Sequence, residues 1–266
     1  MKNEFSKLYA RGGWKRGDGE TASGAGSTLQ YTEQIRNELP PLFAKYGVKT
    51  LLDAPCGDFN WFSHIDVGAM DYIGMDIVDA MVADNTRKYG SKHRRFISGD
   101  ASTTPLPKAD MLLCRDLMRH IKLEASLDVL RNFVRSGTPW LLATSYVVRH
   151  NADIEKNFGS RPINLMIEPF FLPKPRLKIY DSIEGFRKRY LCLWSREEVE
   201  AALARSVTAR TARIDAGARS LDALYDEITA FHATREKLSG GSRRDETLVM
   251  LAAIRELIKA MGAEVN

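Results

Sequence analysis

The sequence lacks long apolar runs, paired cysteines and a strong charge of either sign, and each absence excludes a class of protein. No apolar stretch approaches the roughly 18 residues of a membrane-spanning helix, and residues 1–13 contain no apolar signal region. The three cysteines, Cys56, Cys114 and Cys192, form no CxxC pair and no zinc-binding spacing. We therefore expect a cytoplasmic protein with reduced thiols, no membrane partner and no metal site.

The net charge of +5 in 266 residues is mild. The densest basic run, residues 87–95, is typical of a helix end followed by a loop, where cations interact favourably with the helix dipole. A patch for an anionic partner is the alternative. The sequence shows no recognisable nucleic-acid-binding module and no dense basic stripe, so we expect no nucleic-acid partner, although an RNA substrate stays open.

The most informative stretch is LLDAPCGDFNWF, residues 51–62, in which an apolar run ends in Asp53 and a tight segment follows. This pattern predicts a buried strand, a turn that lets a ligand approach the backbone, and a helix from about Trp61. A second acid, Asp76, closes another apolar run. It lies near the roughly 20-residue spacing at which a βαβ unit places a carboxylate on a ribose.

The turn has too few glycines for a dinucleotide. A pyrophosphate needs the bare backbone of a G-x-G-x-x-G turn, but here only Gly57 is present, and Pro55, Asp58 and Phe59 fill the neighbouring positions. Asp58 would also place negative charge close to a diphosphate. A ligand without phosphate, carrying a sulfonium cation and an amino-acid end, suits this loop better than a nicotinamide dinucleotide does.

At these residues the chain resembles the class I S-adenosylmethionine-dependent methyltransferases, of the small-molecule type. Residues 53–59, DAPCGDF, are similar to the first motif of that family, with Phe59 in place of its third glycine. The resemblance continues with Asp76 at the acid that holds both ribose hydroxyls. Residues 95–101 match the third strand and residues 109–116 the fourth. It implies S-adenosylmethionine as cofactor and S-adenosylhomocysteine as product.

Strands alternate with helices along the chain. This alternation predicts an α/β fold, which the resemblance specifies as a Rossmann-like, seven-stranded, mostly parallel sheet with helices on both faces, plus a C-terminal helical extension. We expect strands over residues 50–53, 72–75, 95–98, 110–114, 140–144, 179–181 and 190–194. We expect helices over about 80–89 and 123–135. A capping box at Ser195 predicts a further helix to about Arg205, with a strand over 207–214 as the alternative.

Three regions are expected. Residues 1–47 form an N-terminal lid and helix; the first 28 contribute little to the core, and the helix, over 28–39, ends at Pro40 and Pro41. Residues 48–214 form the methyltransferase domain, whose proline-containing loop 146–178 covers the substrate. Residues 215–266 form a helical hairpin, whose apolar stripes either pack on the sheet domain or mediate a homodimer.

Cofactor-binding residues are expected in the lid and at the strand ends. Arg36 either pairs with the carboxylate of the methionine end or is an exposed helix charge. The resemblance implies that Asp100, after the third strand, faces the adenine amino group. The complete predicted set is Trp14, Ser27, Arg36, Asp53, Ala54, Cys56, Gly57, Asp76, Ile77, Asp100, Ala101 and Arg115.

Two residues after the fourth strand are the catalytic candidates. Asp116 and His120 lie four residues apart, hence on one face if the segment is helical. A carboxylate beside an imidazole raises its basicity and fixes its tautomer, so we expect His120 to be the general base and Asp116 to orient it or contact substrate. Alternatively, His120 only caps or packs the fourth helix. The predicted substrate contacts are Tyr146, His150, Arg161 and Asn164.

The acceptor is expected to be the hydroxyl of a small molecule, such as a sugar or secondary metabolite. Relatives that methylate exocyclic base nitrogens usually carry an Asn/Asp-Pro-Pro-aromatic motif, whereas this chain has Cys114-Arg115-Asp116-Leu117 at that edge. The alternatives are an N- or carboxyl-methyltransferase acting on a small molecule or a protein side chain, and a non-catalytic protein that binds the cofactor.

Overall fold

The structure, a computed structural model, describes residues 2–12, 20–157 and 159–212. The chain divides into two compact units, of which the first ends at Ala204 and the second begins at Arg205. Residues 205–212, the described part of the second unit, are helical. Trp14 and the helical hairpin predicted over residues 215–266 lie outside the described residues.

The first unit contains a seven-stranded sheet. Its strands are β1 (Thr50–Asp53), β2 (Asp71–Asp76), β3 (Arg94–Ser98), β4 (Met111–Cys114), β5 (Trp140–Tyr146), β6 (Leu177–Tyr180) and β7 (Arg189–Ser195). They are arranged in the order β3-β2-β1-β4-β5-β7-β6. β1 to β5 are parallel, and β7 is antiparallel to both of its neighbours. The predicted Rossmann-like, mostly parallel sheet with a final hairpin is therefore confirmed.

Apolar side chains cover both faces of this sheet because alternate residues of each strand point in opposite directions. On one face, Leu52 of β1 belongs to a cluster that includes Leu130 of helix α4 (Leu123–Ser136). On the other face, Leu51 belongs to a cluster that includes Ile35 of helix α2 (Leu29–Lys45). The remaining α-helices of the unit are α1 (Lys2–Ala10), α3 (Asp79–Tyr89) and the helical residues 196–204.

The sequence predicts that helix α2 ends at Pro40 and Pro41. This prediction is wrong, because the helix continues to Lys45. Its apolar spacing continues past the prolines, and Leu42 and Phe43 are buried on the same face as the residues of the first turns. Burial of these two side chains contributes roughly 1.5–3 kcal/mol each, which offsets much of the cost of about 3 kcal/mol for each of the two prolines inside the helix.

The helix predicted from about Trp61 is also wrong. The structure has only a short 3₁₀ helix, Phe62–His64, followed by a turn at Gly68, whose φ is 56°. The Gly68 amide donates to the carboxylate of Asp66 over 3.0 Å. This local hydrogen bond favours a turn over a helix.

Two further expectations are corrected or decided. The first 28 residues do contribute to the core, because Phe5 of α1 is buried in the cluster beneath the sheet. The capping box at Ser195 is confirmed, since its amide donates to Glu198 Oε2 over 2.8 Å. The helix that it starts continues through residue 212, so the alternative of a strand from Val207 is wrong over the described residues.

Candidate active site

A pocket of about 270 Å³ lies at the carboxyl ends of the parallel strands. β1 and β4 are neighbours there, and their crossovers leave in opposite directions, which is the place where open α/β sheets bind ligands. Many of the predicted residues line this pocket: Ser27, Asp53, Cys56, Gly57, Asp76, Ile77, Asp100, Ala101, Arg115, Asp116 and His120.

Of the predicted cofactor residues that the structure describes, two are not in this lining. Ala54 is buried directly beside it, between Asp53 and the turn. Arg36 instead donates from Nη2 to the carbonyl of Leu29, in the first turn of its own helix, over 3.0 Å. The structure therefore does not bring Arg36 to the pocket.

The turn after β1 is held by the end of β2. The Gly57 amide donates to Asp76 Oδ2 over 3.1 Å, and the Gly57 carbonyl accepts from Asn85 Nδ2 over 2.7 Å. Gly57 has a φ of 58°, and a Cβ added there would lie 2.5 Å from Ser23 Oγ. Glycine is required for both reasons.

Asp58 holds the N-terminal segment over the pocket. Its carboxylate accepts from Thr21 Oγ1 over 2.7 Å, from the Ala22 amide over 2.6 Å and from Ser23 Oγ over 3.0 Å. In return, the Asp58 amide donates to Ser23 Oγ over 2.9 Å. Asp58, whose charge disfavours a diphosphate ligand, therefore anchors residues 21–23. Residues 23–27 line the pocket.

Phe59 occupies the position at which the family has its third glycine. Its φ is 59°, which is uncommon for a bulky residue. The ring is buried and packs against Tyr72, Tyr89 and Phe96 at centroid distances of 4.8, 5.1 and 5.2 Å. This aromatic packing stabilises the left-handed conformation that glycine would adopt without cost.

Two buried carboxylates lie in the pocket at the ends of β1 and β2. Desolvation raises the pKa of Asp53 to about 7, although the Tyr72 hydroxyl donates to its Oδ2 over 2.7 Å and lowers that pKa. Desolvation likewise raises the pKa of Asp76 to about 6, against the amides of Val78 and Gly57. Both acids would be stabilised in the charged form by a ligand that supplies a cation or hydroxyl donors.

Arg115 pairs with Asp181, a partner that the sequence did not indicate. Arg115 Nε and Nη2 donate to the two carboxylate oxygens of Asp181 over 3.0 and 2.8 Å. Nη2 also donates to the carbonyl of Gly26 over 2.6 Å, and the guanidinium lies 5.2 Å from the ring centre of Trp61. Arg115 therefore ties the N-terminal segment to the wall of the pocket.

Asp116 does not orient His120, because residues 115–120 form a turn rather than a helix and Asp116 has a φ of 62°. Its Oδ2 accepts from Arg189 Nη1 over 2.5 Å, and its Oδ1 lies 3.8 Å from Arg119 Nη1. Desolvation raises the pKa of Asp116, but the charges of the surrounding arginines outweigh it and lower the pKa to about 2. Asp116 is therefore ionised at neutral pH.

His120 is oriented by a backbone carbonyl. Its Nδ1 donates to the carbonyl of Gly159 over 2.7 Å, which places the proton of the neutral ring on Nδ1 and makes Nε2 the acceptor nitrogen. Desolvation lowers its pKa and outweighs the opposing charge of Asp116. The expected rise in basicity is thus wrong, but the imidazole is neutral near pH 7 and can accept a proton.

The predicted substrate contacts separate into two groups. Tyr146 and Arg161 line a second cavity of about 130 Å³, which shares Arg119 with the first. Asn164 is buried in the loop, where its side-chain amide donates to the carbonyl of Val148 over 2.9 Å. His150 is exposed. Asn164 and His150 line neither cavity.

Solved structures with the same architecture are methyltransferases. The magnesium protoporphyrin IX methyltransferase ChlM from Synechocystis PCC 6803 with bound SAM has a TM-score of 0.52 at 14% identity, over 73% of this chain and 96% of that one. The 1,6-didemethyltoxoflavin-N1-methyltransferase of Burkholderia thailandensis, with bound S-adenosylhomocysteine, has a TM-score of 0.51 at 14% identity, over 73% of this chain and 86% of that one.

The chain has the fold of the class I S-adenosylmethionine-dependent methyltransferases. No protein-family model matches the sequence, and no curated protein is significantly similar to it. Because these solved structures are only 14% identical to the chain in sequence, their similarity shows the fold alone.

Some residues that line the first pocket were not predicted from the sequence. Phe5, Trp61, Met81 and Arg119 line the first pocket. Phe5 gave no signal because it lies far from the motifs. Arg119 could have been predicted, because it is the neighbour of His120 in the sequence.

Among the described residues, no helix is long and apolar enough to cross a membrane, and no three His, Cys, Asp or Glu side chains are grouped as a metal site. The expected absence of a metal stays a prediction.

Proposed function

We propose that the protein transfers a methyl group from S-adenosylmethionine to a hydroxyl of a small-molecule acceptor. The observation that carries this proposal is the pair of buried carboxylates, Asp53 and Asp76, in one pocket at the strand ends. Because burial raises both pKa values, the pocket favours a ligand with hydroxyl donors and positive charge, and an adenosyl sulfonium supplies both.

The residues that would hold the cofactor are distributed around the pocket. Asp76 would accept from the ribose hydroxyls, and Asp53 would face the cationic methionine end. Met75, Ile77 and Met81 give the pocket apolar walls that suit an adenine ring. The bound cofactor supplies an electrophilic methyl group and a good leaving group. The protein must therefore position the acceptor, exclude water and remove a proton.

His120 is the residue that we assign to proton removal. It lines the pocket, it is neutral near pH 7, and its Nδ1 proton is fixed by the carbonyl of Gly159. Nε2 is therefore the nitrogen that would accept the acceptor's proton. A base with this orientation serves an oxygen or a nitrogen acceptor, so N-methylation is the alternative reaction, and analysis of the methylated product by NMR distinguishes the two.

Calorimetric titration with S-adenosylmethionine and with NAD tests the cofactor. We expect binding of the first only, and we expect Asp76→Asn to weaken it roughly tenfold or more, because a charge-assisted hydrogen bond to the ribose is lost. Asp71→Asn is the matched control, since Asp71 lies at the exposed start of the same strand and pairs with His93. A folded protein with no affinity for S-adenosylmethionine or S-adenosylhomocysteine contradicts the proposal.

Turnover on a panel of hydroxylated metabolites tests the base. His120→Ala should reduce kcat roughly 10²-fold or more at neutral pH, while the exposed His93→Ala leaves it unchanged. If His120→Ala keeps wild-type turnover, His120 is not the base. If the wild-type protein binds cofactor but methylates nothing, the non-catalytic alternative is favoured. Cytoplasmic location and a homodimer through residues 215–266 stay predictions.

A further inference from the structure

We propose that the second cavity, which Arg119, Arg161 and Arg187 line, is the acceptor subsite and binds an oxyanion of the acceptor, a carboxylate or a phosphate. This inference rests on the proposed methyl transfer. The cavity measures about 130 Å³, and no Asp or Glu is among the described residues that line it. The described part of its lining therefore has three cations and no acid.

Arg161 is the strongest indication of an anionic ligand. The residue is only 6% exposed, and its Nη1 donates to the carbonyl of Ile121 over 2.7 Å. Among the residues that the structure describes, neither Nε nor Nη2 has a hydrogen-bond partner. Asp153 Oδ1 lies 4.0 Å from Nη2, on a side chain that is about half exposed. A buried guanidinium without a close counter-charge is costly, and a ligand oxyanion in the cavity would offset that cost.

Arg119 connects the subsite with the site of methyl transfer. It lines both cavities, and its Nη2 donates to Ser160 Oγ over 2.5 Å. The guanidinium lies 5.3 Å from the ring centre of Tyr146. Its ionic contact with Asp116 is long, at 3.8 Å, and Asp116 already pairs with Arg189. Arg119 is therefore positioned to bind an anion.

The same two segments build the subsite and orient the base. The Gly159 carbonyl accepts from His120, and the Arg161 amide donates to the Arg119 carbonyl over 3.2 Å. An acceptor anchored by its oxyanion between residues 119–121 and 159–161 would lie next to His120. The anchor therefore sets which hydroxyl meets the base.

Aromatic side chains form the other walls of the cavity. The rings of Tyr31 and Phe186 meet edge to face at 5.4 Å, and Tyr146 lies on the wall as well. Phe186 is 54% exposed although it is a large apolar residue. Such walls suit a flat, unsaturated body, so the acceptor class is a small hydroxylated aromatic acid or its phosphate counterpart.

The test uses three matched probes: 4-hydroxybenzoate, 4-hydroxyphenyl phosphate and the uncharged 4-hydroxybenzamide. Each is titrated calorimetrically into the full-length protein saturated with S-adenosylhomocysteine. We expect at least one anionic probe to bind roughly tenfold or more tightly than the amide, because charge-assisted hydrogen bonds are lost in the amide. The probe that binds more tightly shows whether the subsite prefers a carboxylate or a phosphate. Equal affinities, or no binding of either anion, overturn the proposal.

Substitutions locate the effect. Arg187→Ala removes an exposed cation from the cavity rim, and Arg161→Lys keeps the charge but not the planar guanidinium. Each should weaken the anionic probe roughly tenfold without changing the affinity for S-adenosylhomocysteine. The neighbouring exposed Lys188→Ala is the control. If neither variant changes the affinity for the anion, the cavity is not the subsite.

The two proposals fail separately. If the folded wild-type protein does not bind S-adenosylmethionine, the proposed function is wrong, and so is the proposed subsite that rests on it. Cofactor binding with no preference for an anionic probe removes the subsite alone.

Discussion

Gly57 offers the sharpest test of how the N-terminal segment is held over the pocket. In Gly57→Ala, the new Cβ would lie 2.5 Å from Ser23 Oγ and 3.3 Å from Ser23 Cβ, so Ser23 must move. Its movement breaks two hydrogen bonds with Asp58, of 3.0 and 2.9 Å. The left-handed backbone adds its own cost, because φ is 58°.

The size of the effect follows from these terms. The left-handed conformation costs alanine about 1–2 kcal/mol, and the two hydrogen bonds with Asp58 contribute about 1 kcal/mol each. We therefore expect Gly57→Ala to lower the free energy of unfolding by about 3–4 kcal/mol, measured by urea denaturation. The affinity for S-adenosylmethionine should fall with it, because residues 23–27 line the pocket.

Gly68→Ala is the matched control. Gly68 also has a positive φ, 56°, but an added Cβ would meet nothing within 4 Å. It should therefore show only the backbone cost of about 1–2 kcal/mol. The double variant Gly57→Ala, Ser23→Gly removes the clash but does not restore the two hydrogen bonds between Ser23 and Asp58. If Gly57→Ala and Gly68→Ala destabilise the protein equally, the contact with Ser23 does not hold the segment in place.

Two further predictions concern the buried charges. Burial raises the pKa of Asp53 from 3.8 to about 7 and the pKa of Asp76 from 3.8 to about 6. Between about pH 4 and about pH 7, the folded protein therefore binds more protons than the unfolded chain. The stability of the ligand-free protein should fall as the pH rises from about 4 to about 7, and S-adenosylmethionine should bind more tightly at the upper end; unfolding that is independent of pH there contradicts this. Asp181→Asn leaves the guanidinium groups of Arg115 and Arg189 without their shared counter-charge, so thermal unfolding should show a loss of about 3–5 kcal/mol. The partly exposed pair of Asp128 and Arg131 is the control, and Asp128→Asn should lose less than about 1 kcal/mol.

The sequence predicted the elements whose signal is local. The strands ending at Asp53, Asp76 and Cys114 are short apolar runs with a polar residue or turn at one end, and the structure places them within one or two residues of the prediction. Helix α4 has a strong apolar periodicity and ends at Gly137, which adopts a φ of 72°. Since the carboxyl ends of parallel strands share one edge, the gathering of Asp53 and Asp76 in one pocket also follows from the sequence.

The partners of the charged residues could not be predicted, because they come from distant parts of the chain. Asp116 pairs with Arg189 and Arg115 with Asp181, pairs that only the β6–β7 hairpin brings together. The spacing of Asp116 and His120 suggested a shared helix face, but pairing with Arg189 accompanies a turn instead. A period of four residues predicts a contact only if the backbone is helical.

The apolar pattern of the strands explains how a chain with about 14% identity to its structural neighbours keeps their fold. The fold depends on the apolar pattern of the strands, and this pattern tolerates many exchanges of Leu, Ile and Val. In the turn after β1, the left-handed conformation at Phe59 depends on aromatic packing rather than on a third glycine. The N-terminal segment depends on Asp58 and Arg115, which bind it through the backbone as well as through side chains. Substituting these anchors should therefore release residues 20–27 from the pocket while the sheet stays folded.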